Sequence, residues 1–188
     1  MSERETLIET LARHRGFLLT TAEGLTEDQA RTASTVSELT IAGLLKHVAD
    51  TEEQWMDFAV HGSGAFGDSE VYGADVDWEA MDEEAARLQE TGGDWSDSEW
   101  QDDRFTVAEE ETLEVLRGRI AQVADATAEI IRTVDLDAEH ALPAAPWFEA
   151  GASWTARRVV PHVLAEISQH AGHADILREA IDGQKTMG

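Results

Sequence analysis

Apolar residues recur three and four positions apart in four stretches of the chain, which is the spacing of amphipathic α-helices. The predicted helices span about residues 3–22, 40–60, 106–134 and 153–182. No stretch shows the alternation of apolar and polar residues that is typical of strands. Long helices with one apolar stripe must bury that stripe against each other, so the pattern predicts an all-α four-helix bundle.

Capping residues mark the ends of these helices. Thr40 is a good N-cap for the second helix, and Thr106 with Glu109 forms a capping-box pattern before the third. Gly24 and Gly183 follow the first and fourth helices, where glycine commonly ends a helix. These local signals set the predicted boundaries.

A long segment separates the second and third predicted helices. Residues 62–103 are rich in glycine, tryptophan and acidic residues, with one short helical pattern at about residues 78–89. Structureless loops of this length are uncommon in compact domains unless they are functional, so we interpret the segment as an acidic insert that forms a lid. The whole chain, residues 1–188, is expected to form one domain.

Composition narrows the classes of partner. The formal charge is −25, from 39 acidic and 14 basic residues, so nucleic acid and anionic membrane surfaces are poor partners. No apolar run approaches the roughly 18 residues of a membrane span, and the charged N-terminus is unlike a signal peptide. We therefore expect a cytoplasmic protein. The chain has no cysteine, so any thiol chemistry needs a thiol from a second molecule.

The fourth predicted helix carries polar residues on its apolar side. At about 100° per residue, Glu166, His170 and His173 fall within roughly 60° of one another. The same sector contains Val159, Val163 and Leu177. Burying an unpaired carboxylate costs on the order of several kcal/mol, because its hydration is lost. A bound metal ion would compensate, and a Glu and a His four residues apart can bind one ion.

A third ligand should come from a facing helix, and His47 on the second predicted helix is the candidate. Two histidines and one glutamate leave a position open, which is typical of catalytic zinc sites. His173 follows one turn after His170 and is the candidate catalytic residue, expected to contact a metal-ligand side chain or to face the substrate rather than to bind the ion. The alternative, that these are ordinary hydrogen-bonded or surface side chains, stays open for each residue taken singly.

Three further residues are candidate contacts for a bound thiol cofactor. Trp55 lies eight residues after His47 and so on a similar face, while Trp154 and Arg158 lie at the start of the fourth helix. An aromatic surface and a guanidinium suit a thiol that bears a sugar and an amide or carboxylate. The alternative is that both tryptophans are core residues and Arg158 is solvated.

Two segments resemble a known family. The segments LTIAGLLKHVADTEEQW and SWTARRVVPHVLAEISQHAGHADILREAIDG resemble the second and C-terminal helices of the DinB-like superfamily. More narrowly, the chain resembles the actinobacterial branch of mycothiol-dependent transferases. The resemblance implies that His47, Glu166 and His170 bind a divalent metal, zinc before nickel, iron or manganese. It also implies mycothiol as the co-substrate, held as a thiolate that attacks an electrophilic small molecule in detoxification.

Two other functions stay open. A metal-dependent hydrolase would use the same ligands with an activated water molecule, and its activity would not need a thiol. A non-catalytic metal-binding or ligand-binding stress-response module would lack a ligand-sized cavity at the open position. Assembly as a homodimer through the helix faces also stays open, since no single stripe indicates which face would pair.

Overall fold

The computed structural model describes residues 2–66, 80, 83, 86–87, 90, 103–143, 145 and 148–186. These residues are predominantly helical, as the sequence predicts. The α-helices are α1 (Glu3–Thr21), α2 (Glu27–Ala30), α3 (Ile41–His61), α4 (Leu113–Thr133) and α5 (Ala156–Asp182). A 3₁₀ turn, Gly62–Phe66, follows α3, and two short antiparallel strands, β1 (Glu139–Ala141) and β2 (Ser153–Thr155), pair before α5.

The four long helices share one apolar core. α5 packs along α1 and α3, and α4 packs along α3 and α1, whereas α1 and α3 contact each other much less. The cyclic order of the long helices is therefore α1, α5, α3, α4. Fully buried residues from these helices include Leu11, Leu18, Leu44, Leu45, Leu116, Ile131, Val163 and Ile167.

The ends of α1, α3 and α5 show how local capping works. The Thr40 hydroxyl accepts a hydrogen bond from the Gly43 N–H at 3.0 Å, which confirms the predicted N-cap of α3. Gly183 has a φ of 79° at the C-cap of α5, in the left-handed region that favours glycine. α1 ends at Thr21, within a residue of the predicted end.

The predicted start of the third long helix is wrong. α4 begins at Leu113 with Thr112 as its N-cap, and the Thr112 hydroxyl accepts a hydrogen bond from the Val115 N–H. The carboxylate of Glu27 on α2 accepts the Leu113 N–H at 2.9 Å. Thr106 does not cap a helix. The chain is irregular from Thr106 to Thr112, and the Glu111 carboxylate accepts a hydrogen bond from the Ala108 N–H. A local cap, Thr112, and a distant partner, Glu27, therefore act together where α4 begins.

The start of the fourth long helix also needs a correction, as does the expectation of no strands. α5 begins at Ala156, with Thr155 as its N-cap, because Ser153–Thr155 pairs with Glu139–Ala141. Three-residue strands are too short to show an alternating pattern in the sequence. The short helix α2, whose capping box joins Thr26 and Gln29, was likewise not predicted.

A buried ion pair joins three of the long helices. Arg15 on α1 donates from Nε to Glu52 Oε2 and from Nη2 to Glu52 Oε1, each at 2.8 Å. The Thr127 hydroxyl on α4 donates to Glu52 Oε1 at 2.6 Å. All three residues are at least 94% buried. Both carboxylate oxygens of Glu52 therefore accept hydrogen bonds from side chains of the protein.

Most of the predicted acidic insert, with the short helix predicted at residues 78–89, lies outside the described residues. Within that stretch, the described residues Ala80, Glu83, Ala86, Arg87 and Glu90 are helical. Among the described helices, none is both long and apolar enough to cross a membrane.

Candidate metal centre

α3 and α5 bring His47, Glu166 and His170 together at one end of their shared interface. One ligand atom from each residue lies within 4.8 Å of the others. The Glu166 Oε2 atom is 3.6 Å from His170 Nε2, because the two residues lie on successive turns of α5. The two imidazole rings are 4.8 Å apart and nearly perpendicular. Both histidines are more than 90% buried, and Glu166 is half-buried.

The surroundings of His47 hold its ring on the buried side of α3. The Thr51 hydroxyl, one turn later, lies 3.4 Å from His47 Nε2. The Phe105 ring lies against the imidazole with a centroid separation of 4.3 Å, and it is 5.8 Å from the His170 ring. An aromatic side chain thus covers the two imidazoles on one side.

His173 contacts His170 on the side opposite Glu166. Its Nδ1 atom is 3.3 Å from His170 Nδ1, while His170 Nε2 faces the carboxylate. One of the two Nδ1 atoms must donate in this hydrogen bond, so the contact constrains both the tautomer and the orientation of His170. His173 is not among the described residues that line the adjacent cavity.

Burial and neighbouring charges keep the candidate ligands ready to bind. Burial, with the nearby His170 and Arg104, lowers the pKa of His47 to about 4. Contact with His170 lowers the pKa of the Glu166 carboxyl, although burial opposes this shift. At neutral pH, His47 is therefore a neutral imidazole and Glu166 a carboxylate. These are the protonation states that metal ligation requires.

The chemistry of this donor set fits a divalent ion. Two imidazole nitrogens and a carboxylate oxygen are ligands that zinc and similar ions accept. Among the described residues, the ion-pair contact of Glu166 is with the His170 imidazole. A half-buried carboxylate of this kind gains most from a cation supplied by a ligand.

A cavity of about 690 Å³ opens beside the cluster. Its wall includes His47 and Glu166, so two of the three converging side chains border it, while His170 is not among the described residues of the wall. Several charged residues of the wall are paired with each other: Lys46 donates to Asp50 at 2.9 Å, and Arg119 pairs with Asp50 and Glu53. The remaining described residues of the wall are Thr51, Gln54, Trp55, Asp57, Ala65, Asp103, Arg104 and His162.

The candidate thiol contacts come together, but only one of them reaches the cavity. Trp55 is 2% exposed, lines the cavity and stacks on Trp154 at 5.1 Å. The Arg158 guanidinium lies 4.5 Å from the centre of the Trp154 ring. Trp154 and Arg158 are absent from the described cavity wall. The three residues thus form a layered stack that extends from the cavity towards the surface.

Sequence reasoning did not assign two residues that the site includes. His162 lies one turn before Glu166, contacts the rings of Trp55 and Trp154, and lines the cavity; burial lowers its pKa. Its helical spacing from Glu166 was the available signal. Phe105 covers the imidazoles from a segment distant in sequence, and no local pattern indicates that contact.

Comparison with known proteins agrees with this chemistry. The model of the family described as mycothiol-S-transferase matches residues 6–183. Neither a curated protein nor a solved structure matches the chain significantly. The family match covers α3, α4, α5 and most of α1, together with His47, Glu166 and His170, and it confirms the resemblance seen in the sequence. The chain therefore belongs to the mycothiol-S-transferase family.

Proposed function

We propose that this protein is a metal-dependent S-transferase that joins mycothiol to an electrophilic small molecule. The observation that carries the proposal is the convergence of His47, Glu166 and His170 within 4.8 Å beside a cavity, in a chain of this family. These three residues would hold the ion. Their nitrogen and oxygen donors favour zinc, with nickel, iron and manganese as alternatives.

A divalent ion held there would supply positive charge that favours the thiolate form of a thiol at neutral pH. The protein's own groups prepare the site for that charge. Glu166 contributes a negative charge, and the neutral His47 adds no competing positive charge. His173 acts as a positioning residue, since its hydrogen bond to His170 Nδ1 directs His170 Nε2 towards Glu166.

The proposed reaction is a transfer of sulfur to carbon. The thiol gives up its proton to solvent, and the thiolate sulfur donates the electron pair of the new S–C bond. In a displacement, the leaving group departs with the electron pair of the bond that breaks. The partly enclosed cavity holds the two reactants together, which lowers the entropic part of the barrier.

We further propose that the cavity wall recognises the sugar-bearing part of the thiol. Trp55 presents an aromatic surface, and the paired side chains of Lys46 and Asp50 offer a donor and an acceptor for hydroxyl or amide groups. Trp154 and Arg158 contribute by stacking behind Trp55. The electrophile enters from the open side of the same cavity.

The wider assignments belong to the same proposal. The packing order of the long helices supports a DinB-like four-helix bundle, with residues 1–188 as one domain and the acidic segment as its insert. A cytoplasmic location, a role in detoxification and the formation of a homodimer stay predictions.

Metal analysis combined with a thiol-consumption assay tests the proposal. We expect one divalent ion per chain, and consumption of thiol that depends on both the ion and the electrophile. Glu166→Gln should lose both properties, because it removes the charged ligand. Glu179→Gln is the matched control, since Glu179 is an exposed residue of the same helix.

Three results would overturn the proposal, each in a different way. A wild-type protein that binds no divalent ion would remove the metal centre. Turnover of a substrate without thiol would favour the hydrolase. A Co²⁺-loaded protein whose absorption spectrum ignores added thiol would favour a binding module.

A further inference from the structure

The segment of residues 103–107 crosses α3 at Gly43. A Cβ atom added at Gly43 would lie closer than 3.0 Å to the Phe105 carbonyl oxygen and 3.3 Å from its carbonyl carbon. Real Cβ atoms do not approach other atoms closer than 3.0 Å, and a backbone carbonyl cannot rotate away as a side-chain end can. Residue 43 must therefore lack a side chain for the segment to lie where it does.

Other helical glycines of the chain show no such requirement. A Cβ atom added at Gly16 on α1 or at Gly118 on α4 meets nothing within 4 Å. Glycine is less favourable than alanine within a helix, because it loses more backbone freedom on folding. At Gly43 the close approach of the backbone of another segment gives a specific reason for that choice of residue.

The segment that docks on Gly43 reaches the metal centre. Phe105 places its ring 4.3 Å from His47 and 5.8 Å from His170, measured between ring centres. The same segment is held by a turn, in which the Thr106 N–H donates to the Asp103 carbonyl at 2.8 Å. Asp103 itself lines the cavity. One backbone contact thus positions both an apolar cover for the imidazoles and part of the cavity wall.

We infer that Gly43 is a positioning residue, which seats residues 103–107 on α3 so that Phe105 covers the imidazoles of His47 and His170. The functional effect of placing Phe105 over the two imidazoles depends on the proposed metal centre. An apolar side chain beside metal ligands excludes water and limits the rotation of their rings, and both effects strengthen binding of the ion. The seating itself is a property of the metal-free chain.

The first experiment measures the seating in metal-free protein. The ring current of Phe105 should displace the NMR signals of the His47 imidazole protons, which are assigned with a His47→Gln variant. Gly43→Ala should move these signals towards their positions in Phe105→Ala, because the added methyl group displaces the segment. Gly118→Ala, the matched control, should leave them unchanged. Unmoved signals in a folded Gly43→Ala protein would overturn the inference.

The second experiment measures binding of Zn²⁺ by competition with a chelator. Phe105→Ala and Gly43→Ala should each weaken binding by about tenfold, the scale seen when the surroundings of metal ligands are altered. Phe105→Leu should retain part of the affinity, and Gly118→Ala should match the wild type. If Gly43→Ala does not fold, Phe105→Ala carries the test alone. Wild-type affinity in Phe105→Ala would overturn the inference.

The two proposals fail in distinguishable ways. A wild-type protein that binds no ion refutes the proposed function, while the NMR comparison still decides whether Gly43 seats Phe105. A wild-type protein that binds the ion, with variants at positions 43 and 105 that bind it equally well, refutes only the inference about Gly43.

Discussion

Two polar clusters interrupt the apolar interior, and both include residues of α3. In the first, Glu52 receives three hydrogen bonds from Arg15 and Thr127. In the second, His47 lies about one and a half turns earlier on the same helix, and the ion-pair contact that the described residues give Glu166 is with the His170 imidazole. The first cluster is buried and its carboxylate is fully hydrogen-bonded, although Thr127 borders a separate cavity, whereas His47 and Glu166 of the second line the cavity beside the candidate metal centre.

The difference lies in where the compensating charge comes from. A buried carboxylate needs a cation and donors, because it has lost water. Glu52 obtains both from neighbouring helices, so its charge is compensated within the protein and the cluster stabilises the fold. The ligand atoms of Glu166, His47 and His170 lie within 4.8 Å of one another, and among the described residues the ion-pair contact of Glu166 is an imidazole rather than a guanidinium. Incomplete compensation is therefore the mark of the candidate functional cluster.

The largest effect should follow from breaking the closed cluster. Arg15→Met leaves Glu52 buried and unpaired, so the free energy of unfolding should fall by about 3–5 kcal/mol. Urea denaturation of metal-free protein measures this loss. The double variant Arg15→Met/Glu52→Met should recover most of it, because neither charge then remains buried. A loss below about 1 kcal/mol in the single variant would contradict the comparison.

A smaller effect should follow from removing the ion at the open cluster. At a free Zn²⁺ concentration 100 times the dissociation constant, binding stabilises the native state by about 2.7 kcal/mol, and chelation should remove that amount. Glu166→Gln should lose this gain, so its melting temperature should not respond to the chelator. Thermal denaturation with and without chelator measures both. Equal melting temperatures after verified removal of the ion would contradict the expectation.

The contact between the two α5 histidines should have a still smaller effect. His173→Ala removes the hydrogen bond to His170 and should weaken Zn²⁺ binding by about tenfold, equivalent to about 1.4 kcal/mol. The protein should still fill with metal at saturation. His173→Asn retains a side-chain donor and should recover part of the affinity. A His173→Ala variant with wild-type affinity but slower turnover would instead indicate that His173 acts on the substrate.

An exposed ion pair should have the smallest effect. Glu179 and Lys185 are joined at 2.9 Å, with each side chain about half exposed. Glu179→Gln should change the free energy of unfolding by less than about 1 kcal/mol, since water already screens both charges. A larger loss would show that exposure does not weaken an ion pair in this protein, and burial could then not explain the large loss expected for Arg15→Met.

The sequence predicted what local spacing determines. The interval of four between Glu166 and His170 places them on one face of any helix, and Thr40 caps α3 through its own hydroxyl. The start of α4 was misplaced because Thr106 and Thr112 both offer a local N-cap, and the distant carboxylate of Glu27, which accepts the Leu113 N–H, is not visible in local spacing. The contact of Phe105 with His47 arises because the backbone at Phe105 packs on α3 at Gly43. Residue spacing along the sequence does not predict such a long-range contact.

Each polar cluster joins a different set of helices, and this determines which backbone amides would exchange faster when the ion is lost. The candidate metal centre would bridge α3 and α5, whereas the buried ion pair of Arg15 and Glu52, with Thr127, ties α1 and α4 to α3. Hydrogen exchange reports the local opening of such units separately. Loss of the ion would therefore speed amide exchange most in the turns around His47 and Glu166. Amides near Arg15 and Thr127 would remain protected from exchange, because the ion pair that joins their helices does not depend on a bound metal ion.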